Sequence, residues 1–277
     1  MSAVHRLGIA LPGGHRPRPL CPCCPGLALD LGSSRTRAWI SGRGMVLDAP
    51  TITFPDARLV HPVQRGAIVD VPATARMLDR LLGDHMPRRA RPLVVVTTPV
   101  LHGPAHREQA RAVVQVLRPR AVLTLPTARA VAHAADADPG RPLLVADIGA
   151  RLSEVVLLAG GAVVDARSAA LGTGDLVDAG DSEELGDAVV AMITSMVRQD
   201  RTALTATALK RGALLAGGGA LLADLAPRLV AGLRAPVTAV PDPHTAALRG
   251  AAGLLRSAHA HPSVRATSRT ACGPMSS

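Results

Sequence analysis

Hydrophobic positions along the chain change their period several times, and each change marks an element. LALDLG (27–32) and TRAWIS (36–41) are apolar segments around a Gly-Ser-Ser turn, and GMVLDA (44–49) follows after Gly42 and Gly44. This predicts a meander of short strands. VPATARMLDRLLG (71–83) places Ala73, Met77, Leu78 and Leu81 at helical spacing, with Gly83 as a stop. LVVVTTP (93–99) is a continuous β-branched run and reads as a buried strand. HREQARAVVQVL (106–117) is a helix with Ala110, Val113, Val114 and Leu117 inward; AVLTLP (121–126) is a strand and TARAVAHAA (127–135) a short helix. The meander then recurs at Leu144. DSEELGDAVVAMITSMVRQD (181–200) reads as a helix with a capping box of Asp181 and Glu184. GALLAGGGALLADLAPRL (212–229) gives strand, Gly turn and helix, APVTAV (235–240) a strand, and DPHTAALRGAAGLLRSA (242–258) a last helix. Meanders alternating with strand–helix units make an α/β protein.

The recurrence is a repeat. Set 117 positions apart, LALDLGSSRTRAWISGRGMVLDA (27–49) and LVADIGARLSEVVLLAGGAVVDA (144–166) align without a gap. Asp30 falls on Asp147, Gly32 on Gly149, Thr36 on Ser153, Gly44 on Gly161 and Asp48 on Asp165. That period is too long for a solenoid and implies two similar lobes, each opening with a hairpin. A cleft between them would be faced by both hairpin turns. An Asp before a tight Gly turn can reach a bound Mg²⁺. Successive turn amides form an anion nest, and Ser or Thr hydroxyls add donors. A Gly turn alone occurs in any meander; the repetition is what points to a phosphate clamp. Gly217, Gly218 and Gly219 follow a strand and precede a helix, where a ligand can sit against bare backbone. Their spacing is neither a dinucleotide fingerprint nor a Walker loop.

Composition changes this picture little. Trp39 and Phe54 are the only aromatic residues, so Ala, Val and Leu must build the core. The net charge of +10 is carried by scattered arginines, Lys210 being the only lysine. No stacking platform or concentrated basic helix accompanies it, which argues against nucleic acid. No apolar run reaches the ~18–20 residues of a membrane span, and no secretion signal opens the chain, so a cytoplasmic protein is expected. Residues 1–25 and 258–277 read as disordered tails. Cys21, Cys23 and Cys24 lie in the first and Cys272 in the second, without the usual zinc spacing.

The order of hairpin, helix, strand, Pro-containing helix, second hairpin, Gly-Gly-Gly turn and Asp-Pro helix resembles the actin and sugar-kinase superfamily. Within it the chain most resembles the bacterial actin homologues MreB and Mbl. The first hairpin looks like their first phosphate motif, HPVQRGAIVDVPATARMLDRLL (61–82) like the strand–helix segment that follows, and PTARAVAHAA (126–135) like the first connecting helix. VADIGARLSEVVLLAGGAVV (145–164) looks like the second phosphate motif, LLAGGGALLADL (214–225) like the adenosine motif, and DPHTAALRGAAGLL (242–255) like the second connecting helix. The resemblance implies an actin-like (ribonuclease H-like) duplicated fold, with lobe I over 26–141, lobe II over 142–257 and the last helix packing back on lobe I. Only TITFPDARLV (51–60) stands where the family has a longer insertion, and LGTGDLVDAGDSEELGDAVVAMITSM (171–196) runs on where a larger subdomain is usual. Subdomain IB is therefore expected to be trimmed and IIB to be missing.

The same resemblance implies ATP and Mg²⁺ between the lobes. Asp30 and Asp147 would organise the metal. Gly32, Ser33, Ser34, Thr36, Gly149 and Ala150 would hold phosphates, and Gly217, Gly218 and Gly219 the nucleoside. It also implies a cytoskeletal role in cell shape and cell-wall morphogenesis, with morphogenesis proteins as partners and with self-assembly. Two departures bear on chemistry. Ala150, Arg151 and Leu152 stand where the family has Gly, Gly and Thr, and Arg151 offers a charge to phosphate. Thr124 and Leu125 precede Pro126 in place of an acidic residue, and neither can serve as a base for hydrolysis. In GDHMPRRARP (83–92), Arg88, Arg89 and Arg91 are candidates for peripheral contact with anionic lipid. The alternative reading is a nucleotide-independent scaffold acting only through protein partners; a small-molecule kinase ranks last, because its pocket would not close.

Overall fold

The computed structural model describes residues 25–54, 57–86, 91–176 and 182–260. Two five-stranded sheets share one topology. The first runs β3-β2-β1-β6-β7, from β1 (Gly26–Leu31), β2 (Arg35–Ile40), β3 (Gly44–Pro50), β6 (Leu93–Thr98) and β7 (Ala121–Pro126). The second runs β10-β9-β8-β11-β12, from β8 (Leu143–Ile148), β9 (Ser153–Ala159), β10 (Ala162–Ala169), β11 (Ala213–Ala216) and β12 (Val237–Ala239). In both, the opening strand pairs antiparallel with its hairpin partner and parallel with the strand across the sheet. The duplication read from the 117-residue repeat is thus a duplication of topology, and the actin-like fold is the result.

Each sheet is covered on both faces, which is why its central strands carry apolar residues without alternation. Met77, Leu78 and Leu82 of α1 (Val71–Leu82) and Ala110 and Val113 of α2 (Gly103–Val113) pack on Leu27, Leu29, Val94 and Val96. Asp70 caps α1, its carboxylate accepting from the Ala73 amide at 2.8 Å. In the second sheet, Leu185, Val189 and Ile193 of α4 (Glu183–Gln199), Ala208 of α5 (Leu204–Arg211) and Leu225 and Leu229 of α6 (Leu225–Leu233) cover Leu144, Ala146 and Leu157. Helix α5 lies in a stretch whose sequence pattern gave no element; Asp200 holds its start by accepting from the amides of Thr202 and Thr205. The α4 N-cap is Ser182, whose hydroxyl is turned to Asp224, and Asp181 lies outside the described residues.

The inner faces of the two sheets meet through α3 (Thr127–Ala134) and α7 (Ala246–Ala260). Ala128 and Val131 of α3 pack on Val145 and Val156 of the second sheet. Leu248, Ala251, Ala252 and Leu255 of α7 pack on Ala28 and Val95 of the first sheet. The two helices cross so closely that a Cβ on Gly250 would stand 1.7 Å from the Ala130 carbonyl oxygen. Only glycine permits that approach. The crossing sets the distance between the sheets and hence the width of the cleft.

Between β3 and α1 the described residues hold the short hairpin of β4 (Val63–Gln64) and β5 (Ala67–Ile68), with one further bridge from Thr53 to Val60. Between β10 and β11 they hold α4 and α5 and no strand. The cysteines and Arg88 and Arg89 lie outside the described residues, and Arg91 is exposed. Among the described residues no helix is long and apolar enough to cross a membrane.

Candidate functional site

The ends of β1 and β8 face each other across a cavity of about 260 Å³ between the lobes. Of the residues expected to bind, Asp30, Gly32, Ser33, Ser34, Asp147, Gly149, Ala150, Gly217 and Gly218 line it. Two do not. Thr36 is fully buried, its hydroxyl 2.9 Å from that of Thr51, because it falls on the inward side of β2. Gly219 is buried under Ile148; a Cβ there would lie 2.3 Å from the Ile148 side chain.

The two turns have one geometry. The Gly32 amide donates to the Arg35 carbonyl at 3.1 Å, and the Gly149 amide to the Leu152 carbonyl at 2.9 Å. Among the described residues the intervening amides of Ser33, Ser34, Ala150 and Arg151 have no backbone acceptor. Arrays of free amides of this kind form anion nests.

Charge is concentrated at the cavity floor. Asp30 accepts a 2.8 Å hydrogen bond from the Thr97 hydroxyl and lies 3.9 Å from the Arg37 guanidinium. Burial raises its pKa, against the opposing pull of Thr97 and Arg37. Asp147 has no such cation. Burial, then the charges of Asp30 and Glu154, push it up to about 7. Two enclosed carboxylates that repel each other are a donor set a divalent cation would neutralise. Among the described residues no cluster of three or more acidic, His or Cys side chains could hold a metal alone, so the remaining ligands would be phosphate and water oxygens.

Several contributors were not singled out in the sequence. Arg35 and Arg37 line the cavity, paired with Asp48 at 2.5 and 3.3 Å, and these arginines hold Asp48 low in spite of the raising effect of its burial. Thr97, Thr127 and Thr173 add hydroxyls to the wall. Alternation along β2 places Arg37 on the face opposite Thr36, toward Asp30, but nothing in the spacing says that this face meets a cleft. Arg151, the departure from a Gly-rich turn, pairs with Asp175 at 3.2 Å.

Two contacts tie the lobes beside the cavity. Gly66, at the β4–β5 tip, donates to the Ser33 hydroxyl at 2.8 Å while Arg65 reaches the Ala170 carbonyl and stands 3.7 Å from Asp175. Glu154 of β9 is buried and accepts from the amides of Val100 (2.8 Å) and Leu101 (3.3 Å) in lobe I.

The family model described as MreB/Mbl protein matches residues 53–180, a span that runs from the trimmed insertion through the second phosphate turn. The match covers just under half of the chain and marks a likeness to the bacterial actin-like MreB family. No curated protein sequence matches the chain. Among solved structures, MreB5 of Spiroplasma citri bound to ADP is similar with a TM-score of 0.74 at 17% identity, covering 86% of this chain and 98% of that one. The same protein bound to AMPPNP gives 0.72 at 15% identity, covering 90% and 99%. A MamK double helical filament gives 0.73 at 17% identity, covering 86% and 100%. At such identities the likeness establishes the fold. This actin-like chain keeps both lobes and both hairpin turns within 277 residues.

Proposed function

We propose that this MreB-type protein binds ATP with Mg²⁺ in the interlobe cleft and acts as a cytoplasmic cytoskeletal element in cell shape and wall morphogenesis. The observation that carries the reading is the opposition of Asp30 and Asp147 across one cavity, each followed by a turn with free amides. Asp30 and Asp147 hold the metal directly or through water. The amides and hydroxyls of Ser33 and Ser34, the amides of Ala150 and Arg151 and the guanidinium of Arg37 hold the phosphates. Mg²⁺ supplies charge neutralisation between the carboxylates and the phosphate oxygens. The MreB5 structures with ADP and AMPPNP support the ligand class, and the MamK filament supports self-assembly as the mode of action. Morphogenesis proteins are the expected partners, and Arg88, Arg89 and Arg91 the candidates for contact with anionic lipid. Thr124 and Leu125 stand before Pro126, and neither can act as a base for hydrolysis.

The test is calorimetric titration of the full chain with Mg-ATP, beside Asp30→Ala. Micromolar binding that the variant loses supports the reading. A folded protein that takes up no ATP at millimolar concentration would turn the search to scaffolding partners. Sedimentation with and without Mg-ATP then tests assembly.

A further inference from the structure

Strand β9 is buried from Ser153 to Leu158, and Glu154 is its only charged residue. Alternation along the strand puts Glu154 on the inner face with Val156 and Leu158. At 4% exposure a carboxylate needs partners. Directly opposite it in the β8–β9 register stands Asp147, as Arg37 stands opposite Asp30 in β1–β2. Arg37 and Glu154 are 117 positions apart and so are equivalent in the repeat. In lobe I the facing residues are of opposite charge, 3.9 Å apart, and the pair is settled within the lobe. In lobe II both are acids, and like charges directly opposite each other repel.

Among the described residues lobe II gives the Glu154 carboxylate no hydrogen-bond donor, whereas lobe I gives it two. Its Oε1 accepts from the amides of Val100 at 2.8 Å and Leu101 at 3.3 Å. Neither amide has another acceptor among the described residues. The Val100 side chain packs on the cluster of Ala128, Val145 and Val156, and the preceding Pro99 lines the cavity. The contact therefore lies at the cavity wall. The ties between the lobes differ in kind. The α3–α7 crossing is set by backbone contact at Gly250. The Arg65 side chain that reaches Ala170 and Asp175 is half exposed, and such pairs contribute little. Glu154 is a buried carboxylate on two backbone amides, one of the stronger classes of hydrogen bond. It has those amides only while the lobes are together; apart, it is left beside Asp147 with water. An interaction made in one arrangement and lost in the other sets the balance between them.

We infer that Glu154 is a latch that holds lobe I on lobe II, and that a divalent cation between Asp30 and Asp147 tightens it by cancelling the like charge beside Glu154. The latch is independent of the nucleotide reading above; its tightening rests on that reading.

Backbone amide exchange of the full chain, read residue by residue by NMR, tests both parts. Glu154→Leu keeps the strand apolar and removes the acceptor, while Glu154→Gln keeps an acceptor and removes the charge. In ligand-free Glu154→Leu the Val100 and Leu101 amides should exchange about ten- to a hundredfold faster. Leu29 and Leu144, in the two sheets, should keep their rates, and the melting temperature should hold or rise because a buried charge has gone. In Glu154→Gln both amides should stay within about threefold of the native rates. Mg-ATP should slow them about fivefold or more in the native chain and less in Glu154→Gln. Unchanged exchange at Val100 and Leu101 in Glu154→Leu overturns the latch. Exchange that quickens equally at Leu29 and Leu144 also overturns it, since Glu154 would then support the whole fold. If Mg-ATP binds by calorimetry and slows Glu154→Gln as much as the native chain, the tightening is wrong. If Mg-ATP does not bind, the nucleotide reading and the tightening fall together, and the ligand-free rates still decide the latch.

Discussion

The two hairpin turns of this actin-like protein have the same hydrogen bond at the same offset, yet they are braced differently. The first is open on the side that faces the cleft. Its carbonyls are taken up from behind, Gly32 by the Thr51 hydroxyl at 2.7 Å and Ser34 by the Thr51 amide at 2.9 Å. The second is wrapped by its own following segment. Thr173 and Gly174 donate their amides to the carbonyls of Gly149 and Ala150, and Gly172 is pressed against the turn. The first turn keeps hydroxyls and a buried cation partner in Arg37; the second trades them for Arg151, which is held by Asp175. The frame is the same in both lobes while the side chains at the two turns differ. Backbone geometry in such a repeat is constrained by the sheet; side-chain chemistry is constrained only by the ligand.

The sharpest way to break the comparison is Gly172→Ala. Its Cβ would stand 2.5 Å from three backbone atoms of the second turn, the Ala150 carbonyl carbon, the Arg151 nitrogen and the Gly149 oxygen. No rotamer relieves a backbone clash, so the turn must move. The expected cost is about 2–3 kcal/mol, read as a fall of several degrees in melting temperature. The first turn is braced instead by the hydroxyl and amide of Thr51. If Gly172→Ala melts with the native protein, the second turn is not braced as described.

The second effect is electrostatic and depends on pH. Folding raises the Asp147 pKa from 3.8 to about 7 when no cation is bound. A carboxylate raised on folding is protonated more readily in the native state. Its contribution to stability is therefore fullest below the unfolded value and is lost as pH climbs toward the folded one. Asp147→Asn removes that loss. In metal- and nucleotide-free protein its stabilisation relative to the native chain should grow by about 2 kcal/mol between about pH 5 and about pH 8 in urea titrations. Asp30→Asn should show a smaller growth, because Thr97 and Arg37 oppose the burial of Asp30. Equal slopes for the two variants would mean that Arg37 does not distinguish the lobes.

Much of this was legible in sequence and some was not, for reasons that differ by residue. The strands of the two sheets, six of the seven helices and the 117-residue repeat were carried by hydrophobic period, which is a property of neighbours along the chain. Helix α5 escaped because it is short and half apolar, with Ala208 and Thr205 its only buried positions. Thr36 was misassigned to the cleft because it aligns with Ser153 and sits close to the turn; the strand period sends its side chain inward instead. Arg37, Thr97 and Asp175 reach the site only through the pairing of β1 with β2 and β6 and through the loop after β10. No linear spacing encodes such proximity. The Gly-Gly-Gly motif was visible, but its cause was not, since two of its glycines answer to Ile148.

Smaller again is the effect of removing Arg37, which should distinguish a turn that carries its own cation from one that borrows it. Arg37→Gln leaves Asp30 without its nearest positive charge and removes the phosphate donor proposed for the first turn. A loss of about tenfold in Mg-ATP affinity is expected, the size of one charge-assisted hydrogen bond. Arg37→Lys should recover part of it, because the charge returns without the fork.

The smallest expected change has the opposite sign. Asp175 accepts from the Gly172 amide at 3.0 Å, pairs with Arg151 at 3.2 Å and stands 3.7 Å from Arg65. It therefore neutralises, at the mouth of the cleft, the one charge that the second turn carries. Asp175→Asn keeps an acceptor for Gly172 but frees both arginines for an incoming polyphosphate. Both guanidinium groups are about half exposed. Each exposed pair is worth no more than about 1 kcal/mol, so the gain in Mg-ATP affinity should be two- to fivefold. It should shrink as salt rises from about 50 to about 300 mM, since solvent-facing charges are screened. A gain that persists at high salt would place these arginines deeper in the ligand's contact shell than their exposure suggests. A loss of affinity would mean that Asp175 shapes the second turn through Gly172 more than it restrains Arg151, and the two turns would then differ in rigidity and not in charge.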